Sequence, residues 1–286
     1  MLRRPFLVIV FSFFSFSAVL STAFSTIASA AEKPSRIVSL NICSDELLLL
    51  LAEPDSIASI TYLSADPRYS QQSELAKSLH LNHGLAEEIV ALEPDLIFTT
   101  QFSATAATRL LRSLGHEVTV LGIPNTLEES IIQIRDIAHL IHEEEKGEAL
   151  VIKMQNSITD SQSKLTAYPD SSALFYSSNG MTYGNYSLQD TFIKSLGWEN
   201  IASNAGINGV STLNLETLIT HQPDYIFIDS LGQESEYLAH PLLHHPVIEK
   251  SMSTKFITLP DSLFSCAGPS FAQAYKLLAE SLGQEE

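Results

Sequence analysis

Residues 87–98 read Glu-Glu-Ile-Val-Ala-Leu-Glu-Pro-Asp-Leu-Ile-Phe, and residues 216–227 read Glu-Thr-Leu-Ile-Thr-His-Gln-Pro-Asp-Tyr-Ile-Phe. Both stretches run acid, apolar residues at helical spacing, Pro-Asp, then a short apolar run. Apolar positions at i, i+3 and i+4 make a helix face. The residue before a proline is pushed out of helical geometry, which ends the helix there. Leu96-Ile97-Phe98 and Tyr225-Ile226-Phe227 are apolar enough for strands covered on both faces of a sheet. One such unit says little. Two of them predict two similar α/β lobes with room for a guest between them.

The rest of the chain repeats this alternation. Arg36–Asn41 reads as a buried strand, and Ser44, Asp45 and Glu46 open a helix over Leu47–Leu51. Strands follow at Ile57–Tyr62, Asp95–Thr100 and Glu117–Leu121, with helices at Glu87–Leu92 and Thr105–Leu114. A long amphipathic helix is expected over Leu127–Glu145, interrupted at Gly147, with a second helical stretch to about Thr166. Alternation then restarts with strands at Ala173–Tyr176, Tyr225–Asp229 and Lys255–Leu259. Helices are expected at Leu188–Leu196, Glu216–Thr220 and Phe271–Leu282. Strands alternating with helices predict mostly parallel sheets covered by helices. The expected fold is α/β, two three-layer αβα lobes joined by a long interlobe helix. Residues 31–143 form the first lobe, 144–168 the connecting helix and 169–286 the second lobe. A helical connector restrains the lobes more than a Gly/Ser-rich linker would.

Arg3 and Arg4 precede an uncharged, mostly apolar stretch from Pro5 to Leu20, and Ala28-Ser29-Ala30 has the small-x-small pattern of a cleavage site. Residues 1–30 therefore read as a secretory signal peptide cut after Ala30. The expected location is an exported compartment. The chain has 286 residues and a net charge of −17, or about −19 once Arg3 and Arg4 are removed. Such an acidic surface disfavours nucleic acid and anionic lipid, and suits a partner that presents positive charge. The two cysteines, Cys43 and Cys266, could pair in an oxidising compartment or stay two thiols.

The chain resembles the periplasmic substrate-binding proteins of ABC importers, in the subclass for cobalamin, ferric siderophores and haem. The resemblance rests on RIVSLN (36–41) followed by a helix, on LAEEIVALEPDLIF (85–98), on the long central helix and on LNLETLITHQPDYIFID (213–229). It covers most of the chain beyond residue 30. It implies a periplasmic monomer without catalysis or resident cofactor, which hands its ligand to a membrane permease. It also implies that one Glu per lobe docks on permease arginines. These fall on Glu87 and Glu216, seven residues before each Pro-Asp, with Glu88 an alternative to Glu87. Carboxylates at the start of a helix complement its positive end.

Ligands of open α/β sheets lie beyond the carboxyl ends of the strands. That rule points to Asn41, Cys43, Tyr62 and Phe102 in the first lobe, and to Asn179, Met181, Tyr183, Asp229, Phe264 and Cys266 in the second. Tyr, Phe and Met in loops suit a large, flat, partly apolar ligand. Arg68 is the nearest cation, so a polyanionic chelate would lack partners. A corrinoid or a near-neutral ferric siderophore is the expected small-molecule partner. Haem stays open, because a Tyr can ligate its iron. Two further readings remain. Cys43 at a helix start could serve a Cys-dependent enzyme. His240, His244 and His245 could bind a bare zinc or manganese ion, although Pro241 and Pro246 break the cluster and no acid is spaced to complete it. A metal site is not expected, and His83 reads as a loop residue outside the cleft.

Overall fold

The computed structural model describes residues 32–177, 180–228 and 253–283. The first lobe contains β1 (Ile37–Ser39), α1 (Ile42–Leu51), β2 (Ile57–Thr61), α2 (Ser73–Ala76), β3 (Leu81–Asn82) and α3 (Ala86–Val90). It continues with β4 (Leu96–Thr100), α4 (Thr105–Ser113), β5 (Val118–Leu121) and α5 (Leu127–Leu140). The connecting helix is α6 (Glu144–Leu165). The second lobe contains β6 (Ser172–Phe175), β7 (Met181–Tyr183), α7 (Leu188–Ser195), β8 (Glu199–Asn200), α8 (Ile201–Asn204), β9 (Val210–Thr212) and α9 (Leu215–His221). Then come β10 (Tyr225–Ile228), β11 (Lys255–Thr258) and α10 (Pro269–Gly283).

One parallel sheet has the order β3-β2-β1-β4-β5, and the other has β11-β10-β6-β8. Matched through their first strands, β2-β1-β4-β5 and β8-β6-β10-β11 are the same arrangement. The Pro-Asp repeat explains how each is registered. Asp95 accepts the N–H groups of Ser35 at 2.7 Å and Arg36 at 3.0 Å, just ahead of β1. Asp224 accepts the N–H of Ser172 at 2.8 Å, where β6 begins. Each carboxylate ties the start of a lobe's first strand to the start of the strand beside it. Burial works against the Asp95 charge, but the bonds from Ser35 and Arg36 outweigh it and hold its carboxyl below the usual range. Glu93 and Gln222, each just before the proline, are both left-handed, with φ of 47° and 43°. The echo in the sequence is thus an echo in the backbone.

The break between α5 and α6 falls at residues 141–143, where His142 is left-handed, and not at Gly147. Gly147 lies inside α6. A Cβ there would stand 2.4 Å from the Cβ of Ala138, so this glycine lets α5 and α6 approach closely. Helix α6 spans 22 residues, about 33 Å at 1.5 Å per residue, and packs on both α5 and α10. Strands β3, β7, β8 and β9 and helices α2 and α8 have no counterpart in the residue pattern; each has two to four residues, too few for a period to show.

The second lobe is centred on Phe192, fully buried and ringed at 4.8–6.2 Å by Phe175, Phe227, Phe264, Phe271 and Tyr275. Trp198 stacks on Tyr225 at 4.7 Å and donates its indole N–H to the Tyr168 carbonyl at 2.8 Å. Buried aromatic rings with a satisfied polar handle carry the core of this half.

Candidate ligand cleft

The carboxyl ends of β1, β4 and β5 face the start of α7 and the loop ahead of α10 across a cavity of about 250 Å³. Asn41, Cys43, Thr100, Ile123, Phe264 and Cys266 are among its lining residues, and none of the lining residues is ionisable. Asn41 shapes this floor by capping α1. Its side-chain Oδ1 accepts the Cys43 N–H at 2.9 Å, and its side-chain Nδ2 donates to the Ser103 hydroxyl at 2.9 Å. Phe264 is the top of the aromatic core, 4.8 Å from Phe175. Cys43 and Cys266 form a disulfide across the cavity, with Cα atoms 5.4 Å apart. Cys43 therefore carries no thiol in this structure, and the Cys-dependent enzyme reading loses its nucleophile.

Two buried carboxylates follow Cys43 on α1. Asp45 is wholly buried and accepts from the Thr61 N–H at 3.1 Å, the Thr61 hydroxyl and the Ser64 hydroxyl at 2.6 Å. Its other oxygen has no hydrogen-bond partner among the described residues. Burial pushes the Asp45 carboxyl up to about 7, against the opposing pull of the hydrogen bonds from Ser64 and Thr61. Glu46 reaches into the other lobe. It accepts the Ser270 N–H at 2.8 Å and the Ser270 hydroxyl, in the first turn of α10. Burial raises its carboxyl too, while the bonds from Ser270 resist. A Cβ on Gly268 would meet a Glu46 oxygen at 2.8 Å, so a glycine there admits the carboxylate. The sequence shows Asp45 and Glu46 only as helix-start acids. Their role comes from Thr61, Ser64 and Ser270, up to 224 residues away.

Aromatic side chains stand at the same ends of the strands. Tyr62, directly after β2, is half exposed, and Phe102, after β4, is 75% exposed. The Tyr62 hydroxyl has no hydrogen-bond partner among the described residues. Its ring stacks on His83 at 5.0 Å. His83 lies in the loop after β3, as read from the sequence, and is not among the residues lining the cavity. The short β3 pairs with β2 and sets their following loops side by side. Glu88 accepts the His83 N–H at 2.8 Å and faces its ring Nδ1 at 3.3 Å. Those bonds from His83 lower the Glu88 carboxyl. Arg68 is paired with Asp66 and is not an open cation.

In the second lobe Met181 is partly exposed on β7, while Tyr183 packs edge-on to Phe175 against the core and is not among the cavity lining. Tyr186, two residues before the lining Leu188, is 84% exposed and left-handed at φ 68°. Asn179, Asp229, His240, His244 and His245 lie outside the described residues. Among the described residues no group of His, Cys, Asp and Glu could hold a metal ion, and no helix is long and apolar enough to cross a membrane. Glu87 and Glu216 are exposed in the first turns of α3 and α9, and neither side chain has a partner among the described residues.

The chain belongs to the periplasmic binding protein family, whose profile matches residues 37–255. Solved structures share the fold at low identity. The periplasmic haem-binding protein RhuT from Roseiflexus sp. RS-1 aligns at 23% identity and a TM-score of 0.72, covering 86% of this chain and 97% of its own. The periplasmic haem-binding protein HutB of Vibrio cholerae aligns at 22% and 0.69, with coverage of 86% and 98%. The periplasmic vitamin B12-binding protein BtuF of Vibrio cholerae aligns at 17% and 0.67, with coverage of 88% and 98%. No curated protein sequence matches the chain.

Proposed function

We propose that this chain is the solute-binding component of an ABC importer and carries a flat metal chelate, foremost haem, in the cleft between its lobes. It binds and releases the chelate without converting it. The observation that carries the haem reading is Tyr62: a half-exposed phenol with no hydrogen-bond partner among the described residues, at the carboxyl end of β2, beyond the residues that line the cavity, and stacked on His83. A tyrosine oxygen is a known haem-iron ligand. The haem-binding structures that share this fold support the same reading. The chelate's apolar faces would meet Ile123, Phe264 and the disulfide, and its carboxylates would point to solvent. A corrinoid is the second reading. The floor without ionisable residues favours a ligand with no need of paired cations, and one neighbour of the same fold binds vitamin B12.

Absorbance titration separates the two. Haemin should bind one to one with a shifted Soret band, and Tyr62→Phe should change that band and weaken binding at least tenfold. Tight cobalamin binding with no haemin binding would assign the corrinoid. A ferric hydroxamate bound in preference to both would overturn the tetrapyrrole reading.

Residues 1–30 act as the export signal, cut after Ala30, and deliver the protein to the periplasm. Glu87 and Glu216 dock on basic pockets of the permease, where exposed charge contributes orientation and on-rate more than affinity. The double variant Glu87→Ala/Glu216→Ala should abolish most uptake and leave haemin affinity within twofold. A collapse of affinity instead would mean that the two acids serve the ligand.

A further inference from the structure

The disulfide joins parts of the chain 223 residues apart: the first turn of α1 in one lobe and the loop ahead of α10 in the other. Both cysteines line the cavity, and Cys43 is only partly buried. A ligand in the cleft would therefore lie against the bond, and an empty cleft leaves it open to solutes. Cys43 sits in the first turn of a ten-residue helix, whose positive end favours a thiolate. A sulfur whose thiolate is stabilised leaves faster in exchange. The lobes are also held without the bond. Glu46 accepts from Ser270, Gln71 donates to the Ser262 hydroxyl at 2.6 Å, Thr191 donates to the Asn125 carbonyl at 2.9 Å, and α6 packs on α10. Opening the disulfide would change the cavity floor and leave the two halves joined.

We propose that Cys43–Cys266 is a thiol-exchange site inside the ligand cavity, whose substrate is a dithiol and whose state sets how tightly the cleft holds its chelate. One thiolate of the dithiol attacks the Cys266 sulfur, the S–S bond breaks and Cys43 leaves as a thiolate. The second thiolate of the dithiol attacks the mixed disulfide and Cys266 leaves. Two electrons pass to the protein, the dithiol becomes a disulfide, and its two protons go to Cys43 and Cys266. The floor is then no longer fixed by a covalent bond, and the chelate is held less firmly. Exchange needs no ligand; only the competition between chelate and dithiol rests on the function proposed above.

The test uses the processed full-length protein without denaturant, with dithiothreitol in one arm and reduced thioredoxin in the other. Free thiols are counted by alkylation and mass spectrometry. Two thiols should appear within minutes while the circular dichroism stays that of the folded protein. Reaction with dithiothreitol alone would mark a small dithiol as the substrate, and reaction in both arms would admit a dithiol protein. Haemin should slow reduction at least tenfold. The reduced protein and the Cys43→Ser/Cys266→Ser variant should bind haemin at least tenfold more weakly than the oxidised protein. A disulfide that opens only in denaturant, or affinities within twofold across the three forms, would make the bond a mere staple and overturn the proposal. If the oxidised protein binds none of the chelates, the proposed function fails, and thiol release without denaturant still decides whether the exchange site exists.

Discussion

In the first lobe, Asp95 binds the N–H groups ahead of β1; in the second, Asp224 binds the N–H that starts β6. Both follow a left-handed residue and a proline. From that common frame the halves diverge at the cleft. The first lobe brings two buried acids and a hydroxyl network, Asp45 with Thr61 and Ser64, and Glu46 reaching across to Ser270. The second brings rings packed on rings around Phe192. Similar sheets thus carry one half with buried, proton-holding acids at the cleft and one built there of packed rings.

The largest expected effect falls on the aromatic half. Phe192→Ala should destabilise the protein by about 3–5 kcal/mol in chemical denaturation, because it empties the centre of the aromatic cluster. A loss under about 1 kcal/mol would show that the rings repack around the gap.

Protonation should act on the other half. Asp45 titrates near 7 when folded and near 3.8 when unfolded, so the folded state holds the extra proton between those values. Stability therefore falls as pH rises from about 4 to about 7, and levels off above. Asp45→Asn should remove the part of that slope that Asp45 contributes. Relative to the wild type the variant should gain up to roughly 4 kcal/mol across the window, at about 1.36 kcal/mol per pH unit. Urea unfolding of both proteins at pH 4, 5.5, 7 and 8 gives the difference directly. Parallel curves would mean that Asp45 does not hold a proton in the fold. Glu46 is raised in the same sense, so some slope should survive in the variant.

The smallest effects probe the common frame. Asp95→Ala and Asp224→Ala each remove an acceptor from strand-start N–H groups and should cost about 1–2 kcal/mol apiece, in thermal or urea unfolding. Costs that differ by more than 1 kcal/mol would show that the echo in sequence is not an echo in energetics.

Much of this frame was legible in the chain because its signals are local. Pro94-Asp95 and Pro223-Asp224 stop helices, and Leu96–Phe98 and Tyr225–Phe227 are dense enough to be buried strands. Loops that follow strands supplied Asn41, Cys43, Phe264 and Cys266, which the fold brings to one cavity. What was not legible depends on distant contacts. His83 meets Tyr62 only because the two-residue β3 pairs with β2. Tyr183 belongs to a loop-like stretch of sequence, yet its ring finds Phe175. Gly147 looks like a helix stop and is instead a contact point for Ala138. The larger open groove along β5, about 590 Å³ and bordered by Ile132, Asp136 and His139, left no mark that a residue pattern could show.

That groove also supplies the sharpest alternative to the cleft. A crystal structure of the protein grown with haemin decides between them. One porphyrin should lie between the lobes, over Ile123 and Phe264, with its iron bonded to the Tyr62 oxygen. A porphyrin lying along β5 outside the first lobe, or iron held by any residue away from the strand ends, would contradict the proposed function.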